Sequence, residues 1–139
     1  MEKEKHFKLS DTEFEEQFRS CSLNPDIFSH EAHLRLAWIH INKYGIEQAE
    51  KNILSQLQSY VASIGANNKF NTTLTVAAIK VVYHFVLKSK SKSFEQFISE
   101  FPRLTSNFRE LLDTHYGFDI FYSKNGRVEY LEPDLLPFD

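Results

Sequence analysis

Cysteine occurs once in the 139 residues, at Cys21. No intrachain disulfide is therefore available, and such sparing use fits a reducing compartment, so cytoplasmic residence is the expectation. No run of about 18 apolar residues is present to span a membrane, and the opening M-E-K-E-K-H-F-K holds no apolar signal region. Dense Lys/Arg clusters are missing as well. With 16 Lys+Arg against 19 Asp+Glu and a formal net charge of −3, sequence-general nucleic-acid binding, which needs a strong basic footprint, is not expected. The one basic run, K-S-K-S-K at 88–92, reads as a solvated loop between helices. Asn71-Thr72-Thr73 matches a glycosylation sequon that has no meaning without secretion. No internal repeat and no compositional break marks a domain boundary.

The remaining composition is that of a globular protein: 42% hydrophobic, 25% charged, with 13 Phe. A chain of this length buries roughly 65% or more of its unfolded surface, so one core suffices. The phenylalanines mostly recur at helical spacing and fill volume between helices. The expectation is an all-α, single-domain bundle over 1–139 of about five to six helices. Residues 1–9 are expected to fray and 118–139 to form an extended tail packed on the bundle.

Ser10 to Glu13 is a capping box opening a helix with Phe14, Phe18 and Cys21 on its apolar stripe, and Asn24-Pro25 ends it. Cys21 reads as a small core residue rather than a nucleophile. A second helix is capped by Ser29 and closed by Gly45, and a third runs from Ile46 to Ile64 as its antiparallel neighbour. A polar loop then leads to a cap at Thr72 or Thr73 and to a helix over about 74–88 that is apolar nearly all round, hence central. Ser93 to Gln96 is another capping box, and Pro102 stops the short helix that follows it. Leu104, Phe108, Leu111, Leu112 and His115 form a further stripe. Asn125-Gly126 fits either a two-residue hairpin or a turn leading to an extended C-terminus.

The second helix carries the anomaly. On a wheel of about 100° per residue, His30, His33 and His40 fall within an arc of roughly 200° that also holds Leu34, Leu36, Ala37, Trp38, Ile41 and Tyr44, while Glu31, Arg35, Asn42 and Lys43 take the other side. Inward imidazoles need a hydrogen-bond partner, a ligand or a metal. His30-x-x-His33 places two imidazoles on neighbouring turns, a spacing that suits a shared ion, but Glu31 is one residue out of place for the His-Glu-x-x-His motif. His40, His84, His115, Glu132 and Asp134 are candidates for a third ligand. None is fixed by spacing, so no metal site is assigned and no cofactor is specified.

The runs S-H-E-A-H-L-R-L-A-W, F-N-T-T-L-T and Y-L-E-P-D-L-L-P, in this order across most of the chain, resemble a family of small uncharacterised bacterial all-helical proteins. That family's pattern has an aromatic-Ser/Thr-His-x-x-His-Leu-Arg motif, a Tyr-His-Glu-Thr-hydrophobic-Thr motif and a C-terminal Glu-Pro-Asp motif. Phe28, Ser29, His30, His33, Leu34 and Arg35 match the first, Phe70, Asn71, Thr73 and Thr75 the second, and Glu132, Pro133 and Asp134 the third. Asn71 and Thr72 stand where the family often has His and Glu, which removes the best third metal ligand. The resemblance implies a helical fold and brings no activity with it.

Three function classes follow. The favoured one is a binding module in which His30, His33, Asn71, Thr73 and Glu132 gather around a small-molecule ligand. An interaction module would use its histidines structurally and present exposed aromatics such as Tyr83, Tyr122 or Phe138 to a protein partner. An enzyme or metal-binding protein would use His30 and His33 as base or ligands, with Arg35 recognising an anionic group. Neither a nucleic-acid nor a membrane partner is expected, and no oligomeric state is implied.

Overall fold

The computed structural model describes residues 4–138. All regular elements among them are helical and no strand occurs. The chain divides into two compact units at Phe70/Asn71, within the polar segment that separates the third predicted helix from the fourth. No helix among the described residues is long and apolar enough to cross a membrane.

The first unit contains α1 (Asp11–Arg19), α2 (His30–Tyr44) and α3 (Ile46–Ser63). The Ser10–Glu13 capping box is closed in both directions. Helix α1 ends earlier than its stripe predicts. Ser22 N–H reaches Gln17 O at 2.8 Å and Cys21 N–H reaches Phe18 O at 3.1 Å, the paired bonds of a Schellman stop, and Cys21 takes the left-handed position at φ 62°. The cysteine is consequently half-buried in the turn, not a member of the helical stripe. Phe14, Phe18, Ala49, Ile53, Leu57 and Tyr60 close the core against α2.

Helix α2 corrects the wheel. Residues Leu34 through Ile41 are buried without interruption, Arg35 included, whereas His30 and His33 are exposed. The reason lies in the segment predicted to fray. Lys5–Lys8 form a 3-10 turn that lies over the Glu31/Arg35 side, with His6 fully buried. Arg35 donates to His6 O at 2.6 Å, to Leu9 O at 2.8 Å and to Asp11 Oδ1 at 2.8 and 3.2 Å. Its guanidinium also stands 5.0 Å from the Phe14 ring centroid, within cation–π range. A helix covered from this additional side has no single solvent face.

The second unit is built on α4 (Thr72–Lys88), whose Val76, Ala77, Ile79, Val81 and Val82 are buried. Its cap is Asn71, whose Oδ1 accepts from Leu74 N–H at 3.0 Å, rather than Thr72 or Thr73. The short α5 (Phe94–Glu100) stops before Pro102. The next predicted stripe is interrupted at Asn107, giving α6 (Arg103–Ser106) and α7 (Phe108–Asp113). Asn125-Gly126 lies inside α8 (Lys124–Val128), not in a hairpin. Beyond α8 the tail is irregular, as its prolines require.

Candidate functional site

Three polar features meet at the first turn of α2. Ser29 caps it, its Oγ accepting from Ala32 N–H at 3.2 Å while donating to Glu4 Oε1. The Ser29 carbonyl accepts twice from His33, from the backbone N–H at 3.0 Å and from Nδ1–H at 2.8 Å. The His33 ring also stacks on Phe28 at 3.8 Å, and Phe28 in turn contacts Phe18 and Tyr60 at 5.1 and 5.2 Å. An imidazole held in this way has one free orientation. Its Nδ1 is committed to a backbone carbonyl, so its Nε2 is the atom left for an external partner.

Burial among these rings is the main cause that lowers the His33 pKa, to about 4, with the Ser29 carbonyl opposing it and His30 reinforcing it. The residue itself remains exposed, so water screens part of that penalty. A lowered pKa makes the neutral ring, with an accepting Nε2, the resting form. His30 is exposed at the helix start. His40, two turns further on, is fully buried; Asn52 Nδ2 lies 3.4 Å from its Nδ1, and its Nε2 has no partner among the described residues.

Asn71, Thr73 and Glu132 belong to the second unit. There the polar atoms of the first two are bonded to backbone: Asn71 Nδ2 donates to Ile120 O at 2.8 Å, and Thr73 Oγ donates to Glu129 O at 2.9 Å while accepting from Leu131 N–H at 3.0 Å. Thr73 and Gly126 approach so closely that a Cβ at Gly126 would lie 3.1 Å from Thr73 Oγ. Glu132 is exposed, and Asp134 accepts from Gly117 N–H at 2.7 Å. His115 Nδ1–H donates to Leu136 O at 2.8 Å. These groups fasten the tail.

Sequence reasoning missed the polar cluster formed by the N-terminal segment. His6 Nε2 lies 2.7 Å from Glu31 Oε2 and 3.8 Å from Glu4 Oε1. Arg35, predicted to face outward and considered as an anion-recognising group, is buried and has its donors spent on Asp11 and the carbonyls of His6 and Leu9. The available signal was Glu31 and Arg35 sharing one helix face, which calls for a covering segment with a polar group in it. Comparison of the chain with protein-family models, curated proteins and solved structures gives no match.

Proposed function

We propose that the protein is a small-ligand binding module whose polar contact is His33, with His30 beside it. One observation carries this reading: the His33 ring is fixed by Ser29 O through Nδ1 and by Phe28, and its Nε2 has no hydrogen-bond partner among the described residues. A neutral imidazole acceptor suits a ligand presenting a hydroxyl or amine N–H and disfavours a simple anion. Asn71, Thr73 and Glu132 belong to the second unit, where the first two already bond the tail backbone, and they stand outside this proposal. The lone Cys21 supports cytoplasmic residence as part of the same proposal, and the likeness to small bacterial helical proteins supports a bacterial origin.

The test is a thermal-shift screen of hydroxyl- and amine-bearing metabolites on wild type and His33→Ala. A compound that stabilises wild type and loses at least tenfold in affinity on His33→Ala supports the proposal. No stabilising compound, or equal stabilisation of both proteins, rejects it.

A second reading has its own support. Tyr122 and Val128 are 79% and 80% exposed, and Leu135 and Leu136 58% each. So many open apolar side chains around one tail favour a protein-interaction role for the second unit. Concentration-dependent self-association that Tyr122→Ser or Leu135→Ser abolishes would support it, and a monomer at all concentrations that binds no partner would count against it.

A further inference from the structure

We infer that Glu4, His6 and Glu31 form a site for a divalent transition-metal ion, separate from the His33 contact. One ligand atom from each lies within 4.8 Å of the other two. One nitrogen and two carboxylate oxygens are a donor set that borderline ions such as Zn²⁺ and Mn²⁺ accept, and three protein ligands with an open position are the usual arrangement of a non-structural zinc site.

The surroundings support the assignment. His6 is fully buried and its Nε2 edge faces both carboxylates. Donors bound to one zinc ion at ~2.0–2.2 Å stand roughly 3.3–3.6 Å apart, so on binding the 2.7 Å contact from His6 to Glu31 opens and the 3.8 Å contact to Glu4 closes. Arg35 is balanced by Asp11 at 2.8 Å. With that pair cancelling, Glu4 and Glu31 leave two negative charges against the ring. A divalent ion neutralises both. Outer contacts hold the ligands in place: Ser29 Oγ donates to Glu4, and Arg35 holds the His6 carbonyl at 2.6 Å. The Glu4 side chain is 45% exposed against 0% for His6, so an ion enters from the Glu4 side and water completes its coordination.

Isothermal titration of the chelator-treated full chain with Zn²⁺, and separately with Mn²⁺, tests the site. The expected result is one ion per chain, with affinity at least tenfold lower in Glu4→Gln, which alters an exposed group and leaves the metal-free melting temperature unchanged. His6→Ala should abolish binding. If that variant fails to fold, Glu31→Gln with a circular dichroism control takes its place. Affinity unaltered in the His30→Ala/His33→Ala double variant separates this site from one built on the helix-start histidines. Absence of stoichiometric binding, indifference to Glu4→Gln, or loss of binding only in the double variant would each overturn the inference.

Discussion

The two units solve the same problem by different means. In the first, three helices of nine to eighteen residues satisfy most of their own backbone, and two carbonyls of the N-terminal segment are met by one buried cation. In the second, a single long helix supports a series of short helices and an irregular tail, whose carbonyls and amides are met one at a time by Asn71, Thr72, Thr73, His115, Tyr116 and Asp134. A chain without a helix or ladder of its own still carries one donor and one acceptor per residue, and burial obliges some side chain to satisfy them. Polar residues at the start of α4 are thereby explained without a ligand. Those at the start of α2 are explained only in part, because His33 Nε2 has no partner among the described residues.

Removing the buried cation is the severest way to break this contrast. Arg35→Ala strands the carbonyls of His6 and Leu9 and is expected to cost about 3 kcal/mol or more. Trp38, the only tryptophan and buried in the first unit, reports the change through fluorescence in urea. A loss below about 1 kcal/mol would mean that the N-terminal segment is not anchored as described.

Thr73→Val keeps the shape of the side chain while deleting both tail bonds, and about 1–3 kcal/mol should be lost. Hydrogen exchange should show the amide of Leu131 opening first, with residues of the first unit unaffected. Opening of both units together would erase the distinction between them.

Acid should weaken the first unit through His40. Burial lowers its pKa from 6.5, with Glu15 opposing and Lys43 reinforcing that shift. Between pH 6.5 and the lowered value the unfolded chain binds more protons, so stability is full above about 6.5 and declines as pH falls through this window. His33 adds an effect of the same sign down to about 4. The Trp38 transition measured from pH 7.5 to 5 should therefore move to lower urea, and His40→Phe should flatten the slope. A midpoint that rises on acidification would contradict this.

The smallest effect concerns the α1 stop. Cys21→Gly relieves a left-handed residue and should raise stability by about 0.5–1 kcal/mol after the entropy of glycine is counted. A loss of stability would show that the half-buried thiol contributes more to packing than its backbone costs.

Much of the fold was legible in advance. Ser10, Ser29 and Ser93 cap the helices they were expected to cap, and Gly45 separates α2 from α3. Caps and periodicity are local, acting over three or four residues, and they survive in any tertiary context. The candidate site was legible only in its chemistry. His33 was singled out by its place on α2, but the wheel turned it inward and sent Arg35 outward, whereas His33 is exposed and Arg35 buried. A wheel records where apolar residues lie on one helix, not what other segments cover it.

The amino-acid sequence by itself determined the helical class, the long elements and their ends, because propensity, capping and apolar spacing act within a few residues. Only the tertiary structure decided that Glu4–Leu9 folds onto α2, that His6 and Arg35 are buried there, and that Asn71 and Thr73 hold the tail. Those outcomes depend on residues tens of positions apart in the chain meeting to satisfy groups that neither segment could satisfy alone.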